Sequence, residues 1–228
     1  MKRFILTACA GLLAAAVASP SFAADLPRPA YKNPVYVAPF SWSGFYVGLN
    51  AGYGWASSTW TSPVTSGDPK PKGFLVGGTL GYNLQTGVWV WGIEGDIDLS
   101  TIKGSTAGGT GLCSPAFAGG CETRNRWLGT ARGRIGYAWD RFLPYITGGA
   151  AFGDIKMSPG GAGGETKTKV GWALGAGVEY AFMGPWSAKL EYMYVDLGTS
   201  TCSASTCGVA TDVTFKANIV KLGVNYRF

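Results

Sequence analysis

The chain has no histidine, and only 14% of its 228 residues are charged. Without histidine, no Ser/His/Asp or Cys/His catalytic arrangement can be assembled, and any zinc site would lack imidazole. With so few charges there is little to coat a water-facing surface, which usually carries roughly 25–35% charged residues. After the N-terminal stretch no apolar run of about 20 residues occurs, which excludes a spanning helix. A chain of this kind that enters a bilayer must do so as a closed barrel, where every backbone group is paired. The net charge is +6, or +4 without Lys2 and Arg3, too mild to imply nucleic acid. What is plentiful is glycine, at 36 residues, and aromatics, at 9 Trp, 11 Tyr and 11 Phe. That composition points to one Gly/aromatic-rich all-β domain.

The first residues, MKRFILTACAGLLAAAVASPSFAADLP, have a basic start, an apolar run from Phe4 to Ala18, and small residues at Ser21 and Ala23. This is the pattern of a secretory signal peptide over residues 1–23, cut after Ala23. Leu6-Thr7-Ala8-Cys9 resembles a lipobox, but only five residues precede it, too few for an insertion-competent run. Residues 24–43 carry Pro27, Pro29, Pro34 and Pro39 and read as an extended periplasmic arm. The four later cysteines form two local pairs, Cys113/Cys121 and Cys202/Cys207. An exported chain favours disulfides there, and zinc is the rival, without a short Cys-x-x-Cys spacing to support it.

From Gly44 onward the hydrophobic period is two. In GFYVGLNAGYGW (44–55), Phe45, Val47, Leu49, Ala51, Tyr53 and Trp55 alternate with Tyr46, Gly48, Asn50, Gly52 and Gly54, which predicts a strand. Further strands are predicted over 72–84, 87–99, 123–139, 142–155, 167–182, 186–197 and 212–228. In GVWVWGIEGDIDL (87–99), Trp89, Trp91, Ile93, Ile97 and Leu99 share one face, and Glu94, Asp96 and Asp98 the other. The next strand sets Arg124, Arg126, Arg132 and Arg134 against Trp127, Ala131, Ile135 and Tyr137. Later strands add Glu179, Lys189 and Glu191 to the polar face. The facing of 142–155 is not assignable from its pattern.

Connections alternate in length. Gln85-Thr86-Gly87, Asp140-Arg141 and Met183-Gly184-Pro185 are tight turns, whereas about 57–71, 100–122, 156–166 and 198–211 are long loops rich in Gly, Ser and Thr. Aromatics gather at strand ends: Trp42 and Trp55, Tyr82, Trp139 and Phe142, Phe182 and Trp186, Tyr226 and Phe228. A soluble sandwich or lipocalin-like barrel would also alternate, but it would turn charges outward. The expected fold is therefore all-β: an eight-stranded antiparallel transmembrane β-barrel over 44–228, with short periplasmic turns, long extracellular loops and interfacial aromatic girdles.

Glu94, Asp96 and Asp98, spaced by about 7 Å along one face, could form a catalytic or metal cluster. The alternative is a lumen ion-pair network of Glu94, Asp96, Asp98, Arg124, Arg126, Arg132, Arg134, Glu179, Lys189 and Glu191, joined by Lys221 and Arg227. Eight strands enclose only enough space for side chains, so charges inside must pair, and arginine facing lipid would cost about 2–4 kcal/mol each. The glycine-rich GGAGG (160–164) and GLCSPAFAGG (111–120) lack the Lys-Ser/Thr ending and following helix of a phosphate loop. Lys216 and Asn218 share parity with Val220, Leu222 and Val224. Either the apolar band ends near residue 219 and the strand projects beyond the membrane, or a bulge switches faces there. Basic residues near loop ends, Lys70, Lys72, Lys156, Lys167 and Lys169, are placed to meet anionic outer-leaflet lipid.

The terminal KLGVNYRF, with Lys221, Gly223, Tyr226 and Phe228, resembles the assembly signal of outer-membrane barrels. With WSGFYVGLNAGYGW at the first strand and LPYITGGAAFG in the middle, residues 40–228 resemble the small porin-family outer-membrane proteins of the RopB type, relatives of the OmpA-like transmembrane barrel. The resemblance implies a surface-exposed, non-catalytic component of the Gram-negative outer membrane that supports envelope integrity. Its partners would be outer-membrane lipid and lipopolysaccharide, and the barrel-assembly machinery during biogenesis. Alternatives are a narrow diffusion channel, or a receptor or adhesin whose loops bind haem or a host molecule. No cofactor is expected: the usual axial haem ligands are scarce here, and no motif singles out a tyrosine.

Overall fold

Strict alternation over ten or more residues requires two different environments on the two sides of each strand, and a closed sheet supplies them. A computed structural model of the chain describes residues 40–63, 66–106, 121–159, 165–204 and 210–228. The signal peptide, the arm up to residue 39, Cys113, Cys207 and the 111–120 and 160–164 segments lie outside the described residues. The strands are β1 (Gly44–Thr61), β2 (Ser66–Gly67), β3 (Lys72–Thr86), β4 (Trp89–Ser100), β5 (Lys103–Thr106), β6 (Cys121–Arg124), β7 (Trp127–Tyr137), β8 (Phe142–Pro159), β9 (Glu165–Met183), β10 (Trp186–Cys202) and β11 (Thr211–Arg227). The eight long ones, β1, β3, β4, β7, β8, β9, β10 and β11, run antiparallel in that order, and β1 pairs with both β3 and β11. The eight long strands therefore form a closed ring.

Three connections at one end are tight turns. Gly87, Asp140 and Gly184 sit there with φ of 62°, 51° and 50°, the left-handed conformation that lets a short reversal match the strand twist. At the other end the strands are longer than their composition suggests. β1 runs on to Thr61 and pairs in full register with β11 up to Asp212, while β2, β5 and the first half of β6 occupy stretches expected to be loops. Threonine is β-branched and at home on a pleated surface, so Ser/Thr-rich sequence here is strand.

Two faces invert along the barrel axis. On β11 the inward residues are Val213, Phe215, Ala217 and Ile219, and then Lys221, Gly223, Asn225 and Arg227. The outward ones are Thr214, Lys216 and Asn218, and then Val220, Leu222 and Val224. No register shift interrupts the β1–β11 ladder at the swap. Lys216 and Asn218 therefore project beyond the apolar band, with no change of face. In the band the outside is apolar and the lumen polar. Beyond it the barrel resembles a soluble one, with Trp60, Leu75, Ile102, Leu128, Met193 and Phe215 among its buried apolar core.

Aromatic pairs mark both edges of the band. Phe45–Tyr82, Trp89–Tyr137 and Trp186–Tyr226 lie toward the tight turns, and Tyr53–Phe74, Trp55–Tyr192 and Trp172–Tyr194 toward the loops. Trp42, expected among the girdle residues, is instead only 1% exposed. Its indole N–H donates to the Asp140 carbonyl at 3.0 Å and its backbone N–H to Gln85 Oε1 at 2.7 Å. With Val90, Leu143 and Ala181 it fills the barrel mouth at the tight-turn end, under the Arg227 guanidinium 4.7 Å from its ring.

Candidate functional site: the lumen

Every long strand contributes inward side chains at the same height because cross-strand partners share a face. β4 brings Glu94, Asp96 and Asp98; β7 brings Arg132 and Arg134, with Glu94 directly opposite Arg132. β9 brings Glu179, β10 Lys189 and Glu191, and β11 Lys221; all nine residues are buried.

Arg132 holds the centre. Its Nη2 lies 2.8 Å from Glu94 Oε1 and 2.7 Å from Asp96 Oδ2, and its Nη1 lies 2.8 Å from Glu191 Oε1. Its Nε donates to Thr130 Oγ1 at 2.8 Å, and the Thr130 hydroxyl donates to Asp96 Oδ2 at 2.6 Å. Arg134 pairs with Glu179 at 2.8 Å and stacks over the Tyr145 ring at 4.0 Å. Lys189 reaches Glu94 Oε2 at 3.0 Å. Lys221 reaches Asp96 Oδ1 at 2.7 Å and also binds Asp98 Oδ2. Each carboxylate is thus held by at least one cation, which is what low-dielectric burial demands.

Hydroxyls and amides complete the network. Tyr46 donates to Glu94 Oε2 at 2.7 Å and accepts from Arg134 Nη1 at 3.1 Å. Tyr145 donates to Glu191 Oε2 at 2.9 Å, and Ser187 and Asn225 donate to Glu179 Oε1 at 2.6 and 3.0 Å. Tyr46, Tyr145, Thr130, Ser187 and Asn225 are network members that no charge marks in the sequence. Their parity with the charged positions was the available signal. Inward glycines leave the room these side chains occupy: a Cβ on Gly177 would stand 2.7 Å from the Tyr145 hydroxyl, and one on Gly52 3.1 Å from Lys221 Cγ. Replacing Tyr46 with Phe should cost about 1.5 kcal/mol, the scale of a hydrogen bond to a charged group, read as a lowered urea midpoint of the refolded protein.

Three expected members are absent from this cluster: Arg124, Arg126 and Arg227, the last of which donates to the Ser41 carbonyl at 2.6 Å beside Trp42. Arg124 and Arg126 are exposed on the outer surface, because the stretch 123–139 is not one strand but β6 and β7, broken at Asn125–Arg126. At the break Asp154 Oδ1 accepts the backbone N–H groups of Arg126 at 2.7 Å and Trp127 at 3.1 Å. The parity of inward residues changes there, from Thr123 and Asn125 to Leu128 and Thr130. Lys221, expected in the terminal assembly signal, is buried in the lumen, while Tyr226 and Phe228 stack with their rings 5.2 Å apart. Cys121 and Cys202 are fully buried and neither is a free thiol. Cys113 and Cys207, expected to pair with them, lie outside the described residues. Above the band, hydrogen bonds from the Ser203 backbone and hydroxyl, with Lys167 beside them, hold the Glu165 carboxyl below its usual pKa.

A closed antiparallel ring with an apolar outer band and a charged, packed lumen defines an outer-membrane barrel, and comparison with known proteins places it further. The model of the outer membrane protein beta-barrel domain matches residues 7–228. The chain belongs to that family. It is 37% identical over 255 residues to the 31 kDa outer-membrane immunogenic protein of Brucella melitensis biotype 1, covering 100% of both chains. It is 33% identical over 190 residues to a 22 kDa outer membrane protein of Rhizobium leguminosarum bv. viciae, covering 82% of this chain and 79% of that one. Among solved structures, the outer membrane protease OmpT of Escherichia coli aligns over 85% of this chain and 99% of its own, with a TM-score of 0.50 and 9% identity. That likeness is one of fold alone. This member of the family is an integral outer-membrane protein, and its relatives carry outer-membrane rather than enzyme names.

Proposed function

We propose that the protein is a non-conducting, non-catalytic structural component of the outer membrane, exposed at the surface through the rim that projects beyond the bilayer. The observation that carries this reading is that the lumen is blocked at three successive levels. Trp42 and its neighbours fill the periplasmic mouth, the ion-pair network the middle, and the apolar core the loop end. An ion crossing would have to displace Arg132 from three carboxylates and then pass Leu75, Met193 and Ile219, whose side chains offer it no polar partner. Catalysis is not supported, because the carboxylates at Glu94, Asp96 and Asp98 are committed to Arg132, Lys189 and Lys221 rather than left facing a substrate.

The same reading includes export by residues 1–23 and insertion by the barrel-assembly machinery through the C-terminal strand, supported by the aromatic ending at Tyr226 and Phe228. Purified, refolded protein in a planar bilayer is expected to give no stepwise conductance. Reproducible steps of a single size would overturn the closed-lumen reading and favour the narrow channel.

A further inference from the structure

Four cations stand in one row on the outside of the barrel, just beyond its apolar band. Lys72 on β3 is directly opposite Lys103 on β5, Lys103 is opposite Arg124 on β6, and Arg124 is opposite Lys156 on β8. All four face outward, since their chain neighbours Pro71, Ile102, Thr123, Ile155 and Met157 are buried inside. Adjacent strands lie about 4.8 Å apart, so the row spans roughly 15 Å of surface. Like charges placed directly opposite each other destabilise a sheet, and here three such pairs follow in succession. No described residue gives any of the four an ion-pair partner. Glu122 lies on the loop side of the row, opposite Ser105 and Ser158. On the membrane side the nearby carboxylate is Asp154, whose Oδ1 is taken by the Arg126 and Trp127 backbone.

Height decides what the row meets. Phe74 lies two residues membrane-ward of Lys72 on the same face, about 7 Å along the strand, and is 70% exposed in the apolar band. Leu99 and Phe152 bound the row from below on β4 and β8, on the outward faces of those strands. Exposed Arg126 adds a fifth cation between Arg124 and the band. A linear set of unpaired cations one step above lipid-facing aromatics is complementary to a molecule that carries phosphates at headgroup level and acyl chains beneath them. We propose that this row is a binding site for the phosphorylated glycolipid of the outer leaflet, the lipid A portion of lipopolysaccharide. Lys72, Lys103, Arg124 and Lys156 take its phosphates, and Phe74, Leu99 and Phe152 pack against its chains. Only two of these cations, Lys72 and Lys156, stand out near loop ends in the sequence. Lys103 and Arg124 join them because β5 and β6 are strands in register with β3 and β8.

The test uses the full mature chain refolded in detergent micelles, with lipid retained after size-exclusion chromatography counted by mass spectrometry. Wild type is expected to retain bisphosphorylated lipid A at least tenfold better than the K72Q/K103Q/R124Q/K156Q variant. A variant losing the same charge elsewhere, R28Q/K32Q/R141Q/K216Q, is expected to stay within twofold of wild type. Should the first variant not refold, K103Q and R124Q alone are each expected to lower retention about threefold. Retention of dephosphorylated lipid A or phosphatidylglycerol equal to that of lipid A, or no difference between the two quadruple variants, would overturn the proposal. So would protection from heat unfolding by inorganic phosphate as large as that by lipid A, since the site would then be one for the free anion. The readout is independent of conductance, so it stands or falls apart from the closed lumen.

Discussion

Replacing Arg132 with Met is expected to remove about 3–5 kcal/mol from the folded barrel, the cost of breaking a buried ion pair by deleting one partner. Arg132 is the shared cation of Glu94, Asp96 and Glu191, at 2.7–2.8 Å from each. Without it, Glu94 keeps Lys189 and Asp96 keeps Lys221, but Glu191 keeps only the Tyr145 hydroxyl. A folded domain typically has about 5–15 kcal/mol to lose, so the variant should sit near the edge of folding. The measurement is the urea midpoint of refolded protein by tryptophan fluorescence. R132M/E191Q should recover part of the loss, because it also neutralises the carboxylate left without a cation. An R132M midpoint equal to wild type would mean that water already reaches these carboxylates, and the lumen would then be open.

The second large effect tests where the membrane ends. Leu49 and Thr59 are on the same outward face of β1, both exposed, ten residues apart. Leu49 is 76% exposed, midway between Phe45 and Tyr53 of the two girdles. Arginine there should cost about 2–4 kcal/mol, as for a basic residue facing lipid at mid-membrane. At Thr59, beyond the band and opposite Thr214, arginine faces water and should change stability by no more than about 0.5 kcal/mol. Unfolding of both variants from lipid vesicles gives the comparison. Equal costs at the two sites would remove the inversion of faces that distinguishes the projecting rim from the membrane band.

Much of this architecture was legible in the residues themselves. Trp89, Trp91, Ile93, Ile97 and Leu99 alternating with Glu94, Asp96 and Asp98 admit one orientation, since charge toward lipid is too costly over a whole strand. The eight strands, their antiparallel order and the charged side of β4, β9 and β10 follow from that constraint. The inversion near residue 219 was also written in β11, where polar and apolar residues exchange parity between Asn218 and Val220.

Other features had no local signal. Arg124 and Arg126 match the alternation of Arg132 and Arg134, but the Asp154 carboxylate on β8 captures the intervening amides and turns them outward. Trp42 looks like a girdle aromatic and becomes a plug, because its partners, Gln85 and the Asp140 carbonyl, come from two separate turns. The cation row exists only where β5 and β6 bridge β3 to β8. Sequence alone determined which face meets lipid in the strands that alternate strictly, because alternation is a local consequence of two-sided solvation. Only the tertiary structure decided which charges meet, where a strand breaks and what closes the lumen, because those depend on register between segments far apart in the chain, 125 residues in the case of Lys221 and Asp96.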